Sequence, residues 1–398
     1  MYKKYIMKLG IYHHFYLDDA SPIFYYIKDL KKSYNYIEVK NLSKKIMALI
    51  LICIMILNLS ACTTFDNKPT QKRFQASFLD VFDTVTTIIG YADNEEDFTK
   101  SAQMIHDELF KYHQLYDIYN NYDGVNNIKT INDNAGKAPV VVDQSIIDVL
   151  KLSKEWYNKT DKKFNVALGP VLAVWHQYRE AGRDDPDNAK LPSMDLLKEK
   201  AEHTNIEDVI IDEANSTIYL KDPEMSLDVG GIAKGYATEL AANYAKDHGF
   251  INGMISVGGN VRTIGSKLDG KNNDNTWSVG IQNPDLESAQ TNLYVLGLND
   301  YSLVTSGVYE RFYVVDGKKY HHIIDPETLM PANYFLSVSI VTKDSGKADA
   351  LAKIFTMPYE DGLKLIESEG DAEALWVFPD GSVKYTSGFE KFIKQDTN

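Results

Sequence analysis

Apolar residues recur at helical spacing in the first half of the chain. Between positions 95 and 119 they lie three or four residues apart, which predicts an amphipathic helix with one buried face. That face comprises Phe98, Ala102, Ile105, Leu109, Tyr112 and Tyr116. Asp143 can cap a second helix, and a third is predicted over 192–203. The apolar residues of the second helix are Ile146, Ile147, Leu150 and Trp156.

Shorter runs of β-branched and apolar residues predict strands. Positions 78–89 carry enough of them for strands, and 209–211 with 217–220 predict a hairpin. Leu227 and Val229 predict the end of another strand. Because strands and helices mix without regular alternation, we expect an α+β fold in one mixed domain.

A charge-free run of twelve residues, 46–57, follows three lysines near the N-terminus. A helix of that length spans about 18 Å, short of the hydrocarbon core of about 30 Å. This favours a secretory signal over a short anchor or a buried core helix. The next residues, Leu59-Ser60-Ala61-Cys62, resemble a bacterial lipobox, whose cysteine becomes the lipidated first residue of the mature protein.

These features predict the organisation of the whole chain. We expect a signal peptide over 39–61, a lipidated Cys62 with a polar tether over 62–73, and a single domain over 74–398. The protein would then be lipid-anchored on the extracytoplasmic face of the cell membrane. Residues 1–38 are rich in Tyr and Lys and do not fit a signal peptide, so we expect an N-terminal extension foreign to the native protein, with translation starting near Val39.

Composition narrows the function classes. The chain has 398 residues and a formal net charge of −14, which argues against general nucleic-acid binding. Its 44% apolar content is that of a globular protein. Two cysteines, Cys53 and Cys62, are too few for a disulfide scaffold or a cysteine-rich metal site.

Four glycine-rich or histidine-rich segments are the candidate chemistry. The first, 226–249, places Gly230 and Gly231 before a predicted helix over 232–246 that stops at Gly249. Such a turn presents free backbone N–H groups to an anion, although an ordinary turn with a solvated Lys234 explains the same residues. The other segments are a strand with a Gly-Gly-Asn turn at 255–261, a small-residue turn at 305–311, and a strand end with two adjacent histidines at 320–326. Adjacent residues of a strand face opposite sides, so one of these histidines is expected to be structural.

Taken in order, LDVGGIAKGYA, SVGGN, TSGVYER and HHIIDPETLMPA resemble the ApbE family. The resemblance runs from about Phe78 to Phe392 and implies an α+β fold, FAD as the donor substrate and Mg²⁺. It implies transfer of FMN from FAD to a Ser or Thr of a target flavoprotein, with release of AMP. It also implies that FAD contacts Phe82, Tyr119, Phe164, Asn165, Asp228, Lys234 and Ile324.

The resemblance further implies a metal site and a proton-handling residue. The Gly231 carbonyl and Asp349 match metal-ligating positions, and Asp349 and His322 are the candidate catalytic residues. Two positions depart from the family pattern. Lys353 replaces the ligating threonine; while protonated it cannot ligate Mg²⁺ and would repel it. An ordinary i,i+4 helical pair with Asp349 is the alternative explanation of this residue. Leu329 replaces a glycine in the turn after Asp325-Pro326, and because leucine resists positive φ we expect that turn to be rebuilt.

These observations predict a magnesium-dependent FAD:protein FMN transferase. Alternatives are a surface lipoprotein that binds FAD without turnover, and a FAD pyrophosphatase in which water is the acceptor. Lys353 makes the binding-protein alternative more credible.

Overall fold

Antiparallel pairing dominates the computed structural model, which describes residues 71–270 and 274–394. These residues belong to one compact unit. The strands are β1 (Lys72–Val81), β2 (Thr84–Ala92), β3 (Val140–Val141), β4 (Val209–Asp212), β5 (Thr217–Leu220), β6 (Gly253–Val257), β7 (Asn260–Ile264), β8 (Trp277–Gln282), β9 (Asn292–Leu298), β10 (Ser302–Gly307), β11 (Phe312–Val315), β12 (Lys318–His321), β13 (Ser337–Thr342), β14 (Glu373–Val377) and β15 (Val383–Tyr385). The α-helices are α1 (Glu95–Tyr116), α2 (Ile128–Asp133), α3 (Gln144–Lys159), α4 (Gly169–Asp184), α5 (Met194–Ala201), α6 (Ala233–Asp247), α7 (Ser345–Leu351) and α8 (Tyr359–Glu369).

Eight strands form the main sheet, in the order β1-β2-β6-β7-β10-β13-β14-β15, and every neighbouring pair is antiparallel. Successive residues of β2 enter different cores: Ile88 packs with the helices, whereas Ile89 packs with the β8–β9 hairpin. This alternation is the expected consequence of a strand with both faces covered. Helices on one face of an antiparallel sheet confirm the α+β prediction.

Most predicted elements are present. The apolar face predicted for α1 is buried throughout, and Asn94 caps the helix. Asp143 caps α3, where its carboxylate accepts a hydrogen bond from the Ser145 amide at 2.8 Å. The third helix is shorter than predicted, because Ser193 caps it and it covers only α5. The predicted hairpin is β4–β5.

Three predicted boundaries differ. The first strand begins at Lys72, two residues before the predicted start of the domain. Positions 305–307 are the end of β10 and not a turn. Leu227 and Val229 are buried but lie outside any strand. The reason is that the Leu227 backbone bonds to the side-chain amide of Asn132 through both its N–H (2.7 Å) and its carbonyl (3.0 Å).

Two turns meet at one end of the main sheet. Phe82 and Asp83 connect β1 to β2 with positive φ angles of 55° and 49°, and Gly258 and Gly259 connect β6 to β7. A Cβ at Gly258 would lie 2.6 Å from the Thr84 hydroxyl oxygen, so only glycine allows this approach. The Gly-Gly-Asn segment is therefore a hairpin turn, as predicted.

Helix α6 packs very closely against α7. A Cβ at Gly235 would lie 2.3 Å from the Ser345 carbonyl oxygen, so the contact requires glycine. One turn further along α6, the buried Glu239 carboxylate accepts hydrogen bonds from the Arg262 Nε (2.9 Å) on β7 and from the Ser345 amide (2.9 Å). The ion pair thus fixes α6, the sheet and the start of α7 together.

A smaller cluster of apolar residues joins α4 and α5 to the β11–β12 hairpin. Its buried members are Leu168, Val171, Trp175, Leu197, Tyr313, Ile324 and Leu329. Within the residues described here, no helix has both the length and the apolarity needed to cross a bilayer.

Leu329 contradicts the prediction of a rebuilt turn. It adopts φ of 60° itself, in the left-handed region. Its amide donates to the Asp325 carbonyl at 2.8 Å, and its carbonyl accepts from the Trp175 indole at 2.9 Å. The side chain is only 8% exposed. Burial of leucine therefore compensates for the strain that glycine would avoid.

We expect Leu329→Gly to destabilise the protein. It relieves left-handed strain of about 1–2 kcal/mol, but it removes a buried leucine side chain, which costs about 2–5 kcal/mol. The net loss in free energy of unfolding should be roughly 1–3 kcal/mol, measured by urea denaturation.

Asp316→Gly is the matched control. Asp316 also has positive φ, 50°, but its side chain is exposed. This substitution should change stability by less than about 0.5 kcal/mol. Equal effects of the two substitutions would contradict the argument.

Candidate active site

Asp349 lies at the contact between α6 and α7. Its carboxylate is buried and accepts a hydrogen bond from the Gly235 amide at 2.8 Å. Burial raises the pKa of Asp349, while the nearby Lys234, the Gly235 amide and Lys353 oppose that rise. The Asn260 side chain is buried beside it and likewise opposes the rise in the Asp349 pKa. The carboxylate is thus compensated by groups of this chain.

Lys353 reaches across Gly231. A Cβ at Gly231 would lie 2.6 Å from the Lys353 Cε and 2.9 Å from its Nζ. The same Cβ would lie 3.8 Å from the Phe164 ring, so these three residues converge. Among the described ion pairs none joins Lys353 to Asp349, because α7 ends at Leu351 and a 3₁₀ turn follows. The helical pair considered from the sequence is therefore not formed.

His322 stands among cations. Its amide donates to the Arg311 carbonyl at 3.1 Å, and its Nδ1 lies 3.3 Å from the same oxygen. Burial holds the pKa of His322 well below its usual range, and Arg311, Arg179 and Lys353 lower it further. The imidazole is therefore neutral at neutral pH.

His321 faces the other way, as the strand geometry predicts. Its Nε2 lies 2.6 Å from the Ala332 carbonyl oxygen, and its Nδ1 accepts from the Ile323 amide at 3.2 Å. Both ring nitrogens bond to the backbone, so this histidine is structural.

Tyr119 and His176 form an aromatic pair at the side of the site. Their ring centroids are 5.4 Å apart, and Tyr119 is 56% exposed. The His176 Nδ1 lies 2.7 Å from an Arg179 guanidinium nitrogen. The Asp228 carboxylate is within electrostatic range of both aromatic residues. It also accepts from the Gly230 amide at 2.8 Å, which fixes the start of the glycine turn.

The other residues predicted to contact FAD differ in their burial and in their hydrogen bonds. Phe82 is half-buried and its amide donates to His113 Nδ1 at 3.1 Å. Asn165 uses both ends of its amide within the protein, since it donates to the Thr204 carbonyl and accepts from the Ala167 amide. Ile324 is buried in the α4–α5 cluster. The Asn165 amide is therefore engaged within the protein, and Ile324 is a core residue.

Sequence reasoning missed three residues of the site, His176, Arg179 and Arg311. Arg311 ends the quoted TSGVYER segment, which was a signal. His176 and Arg179 lie on one face of α4, and nothing in the sequence distinguishes them from solvated polar residues. We name Arg179, Arg311, Lys234 and Lys353 the cation cluster, because all four act electrostatically on groups of the site.

Mg²⁺ does not fit the residues at the predicted metal site. The ion requires near-octahedral oxygen ligands. Here one oxygen of Asp349 accepts the Gly235 amide, and the Lys353 ammonium, which cannot ligate a cation, lies over Gly231, the other predicted ligand. The described residues contain no group of three or more His, Cys, Asp or Glu side chains able to hold a metal.

The neutral His322 predicts a pH effect on stability. An unfolded histidine has a pKa near 6.5, whereas the folded pKa of His322 is lower. Stability should therefore be lost as pH falls from about 6.5 towards the folded pKa, because only the unfolded chain gains the proton. His322→Asn should lose less stability than the wild type between about pH 7.5 and 5.5 in urea denaturation. Each protein is compared with itself at pH 7.5, so that any stability lost through altered packing in the variant cancels from the comparison. Parallel curves would contradict the assignment.

Comparison with known proteins is consistent with this architecture. The model of the ApbE family matches residues 82–376. A FAD:protein FMN transferase of Treponema pallidum (strain Nichols) is 34% identical over 272 residues, 66% of this chain and 73% of that protein. Another, of Klebsiella pneumoniae (strain 342), is 32% identical over 252 residues, 63% of this chain and 74% of that protein.

Solved structures agree in fold. The ApbE protein of Thermotoga maritima superimposes with a TM-score of 0.71 at 27% identity, over 81% of this chain and 100% of that one. A flavin transferase ApbE from Vibrio cholerae shares the fold, with a TM-score of 0.68 at 24% identity over 81% of this chain and 100% of that one. The family match over most of the described domain, with two relatives above 30% identity, leads to one conclusion: the chain belongs to the ApbE family.

Proposed function

We propose that this protein is a FAD:protein FMN transferase, which moves FMN from FAD to a Ser or Thr hydroxyl of a target flavoprotein and releases AMP. The curated relatives described above carry this name. The observation that carries the proposal is the cation cluster around a neutral His322, beside the Tyr119–His176 pair.

The charge of the site suits a diphosphate. The whole chain is strongly acidic, at −14, yet four cationic side chains converge here. Asp228 and Asp349 offset part of this charge. Cations fixed in a partly buried site stabilise phosphoryl oxygens more strongly than they would in water, since the local dielectric constant is lower.

The reaction is a displacement at the FMN phosphorus. The acceptor hydroxyl oxygen forms a new bond to that phosphorus, and the bond from the phosphorus to the bridging oxygen breaks, so that AMP leaves with that oxygen. The hydroxyl proton goes to His322. Because Nδ1 faces the Arg311 carbonyl, Nδ1 carries the hydrogen and Nε2 is the free base.

The nucleophile belongs to the target protein, so this chain needs no activated serine or cysteine of its own. Phosphoryl transfer depends mainly on positioning and charge stabilisation. Tyr119, which is 56% exposed, supplies aromatic surface to orient a flavin or adenine ring, whereas Phe164 is buried and contributes through the packing of the core. Magnesium, which the family resemblance implies, takes no part in these steps, because the Lys353 ammonium lies over Gly231, a predicted metal ligand.

Mixing the protein with FAD and a flavoprotein that bears an acceptor hydroxyl tests the proposal. We expect a covalently fluorescent acceptor band and one AMP released for each FMN transferred. His322→Asn should lower the rate by about 10²–10⁴-fold, the usual contribution of a general base, and keep FAD binding. Asp228→Asn, by contrast, should weaken FAD binding itself.

Two results would replace this function with an alternative. AMP released without labelling of the acceptor would identify a FAD pyrophosphatase. FAD bound without any AMP release would identify a binding protein.

We also propose that the mature protein is anchored by lipid on Cys62, at the extracytoplasmic face of the cell membrane. Cys62 lies outside the described residues, so the support is the sequence of 40–62 alone. Cys62→Ser should move the protein from the membrane fraction to the soluble or secreted fraction, or leave an uncleaved precursor. One acyl chain gives marginal binding, so a diacylated cysteine is expected. A mutant that fractionates and migrates like the wild type would contradict the anchor.

A further inference from the structure

Lys353 stands at the position where the family resemblance expects a metal-ligating threonine. Its side chain does not turn away from the site, because its Nζ lies over Gly231, beside Phe164. Its charge interacts electrostatically with Asp228, Asp349, Lys234 and His322. The ammonium therefore lies within electrostatic range of all four of these groups.

The backbone around Lys353 fixes this direction. The following residues, Ile354 and Phe355, are fully buried in the helix-side core, and Leu351 before them is buried as well. The Thr356 hydroxyl donates to the Lys353 carbonyl at 2.8 Å, which closes the 3₁₀ turn. With its neighbours anchored, the Cα–Cβ bond of the lysine keeps its direction toward Gly231.

Glycine at position 231 makes room for this lysine. A Cβ there would lie 2.6 Å from the lysine Cε, so a side chain at 231 would require the end of the lysine to shift. The contact thus joins the glycine turn, which precedes α6, to the 3₁₀ turn that follows α7. A divalent ion placed here would face the like charge of the Lys353 ammonium.

We propose that the Lys353 ammonium replaces the divalent ion in this site, so that FAD binding and FMN transfer proceed without a protein-bound metal. This inference rests on the proposed function. A lysine is a compact point charge with three donors and is well suited to phosphate oxygens. It carries one charge where Mg²⁺ carries two, and Lys234, Arg179 and Arg311 supply the remainder.

Asp349 has a different part in such a site. Instead of ligating a metal, its carboxylate holds the Gly235 amide and faces two ammonium groups, those of Lys234 and Lys353. It thereby balances part of their charge and, through the Gly235 amide, positions the start of α6.

Four proteins test the inference by FAD titration, each with EDTA and with Mg²⁺. Wild type should bind FAD equally well in both. Lys353→Met keeps the length of the side chain and removes its charge, so affinity should fall about tenfold or more in both conditions. Lys353→Thr removes the charge and restores an oxygen ligand, so affinity should fall in EDTA and recover with Mg²⁺. Lys347→Thr is the matched control, because Lys347 pairs with Glu369 and Asp371 on the far side of α7 and should behave as wild type.

Titration with Mn²⁺ in the presence of FAD, followed by electron paramagnetic resonance, reads the metal directly. Lys353→Thr should retain bound Mn²⁺ beyond what FAD alone binds, and wild type should not. Wild type that retains Mn²⁺ in this way, or that needs Mg²⁺ for FAD affinity or FMN transfer, would overturn the inference and leave the proposed function standing.

The reverse outcome, in which the lysine site is supported and the transferase function is refuted, can also be measured. Metal-independent FAD affinity that depends on Lys353, without any FMN transfer to the acceptor, would support the lysine site and refute the transferase function. If no protein binds FAD with or without Mg²⁺, both conclusions fail together.

Discussion

The close approach of α6 to α7 is the constraint on which the rest of the site depends. Gly235 lets the Ser345 backbone come into direct contact, and the buried Glu239–Arg262 ion pair holds both helices to the sheet. Breaking one partner of such a pair leaves an uncompensated charge and costs about 3–5 kcal/mol. Since Asp349 lies in α7 and Lys353 lies in the turn directly after it, this contact sets their positions relative to the glycine turn.

The site is assembled from segments that are distant in sequence and share one end of the sheet. Hairpin turns bring Phe82 and Asn260 to that end, and the antiparallel register brings the end of β10 there too. His322 directly follows the β11–β12 hairpin, and Arg179 lies on α4. Both elements pack in the smaller apolar cluster, which positions these two residues. A rigid framework thus carries charged side chains that contribute little to the core itself. This division explains how a strongly acidic protein maintains a local cationic centre.

Sequence alone predicted the elements whose periodicity was strong and failed where a side chain took over a backbone role. The buried face of α1 and the cap of α3 follow from spacing and from Asp143. The strand expected at Leu227 does not form, because the partner of its backbone is Asn132, a residue 95 positions away that no local pattern indicates. At Leu329 the local pattern gave the wrong prediction. Leucine disfavours positive φ, but the burial of its side chain outweighs that preference. The sequence did not indicate Arg179, because a polar helix face has the same residue pattern whether it faces solvent or a functional site.

The amide of Asn132 has a consequence for the shape of the protein. Had residues 226–229 joined a sheet, neighbouring strands would lie about 4.8 Å away on either side. A single side chain instead satisfies the Leu227 backbone on one side, and the Asp228 amide donates to the Val166 carbonyl at 2.8 Å on the other. This leaves the following glycines free to bend toward Phe164 and Lys353 instead of continuing a ladder. The glycine turn therefore reaches Phe164 and Lys353 because an amide, in place of a neighbouring strand, satisfies the extended segment before it.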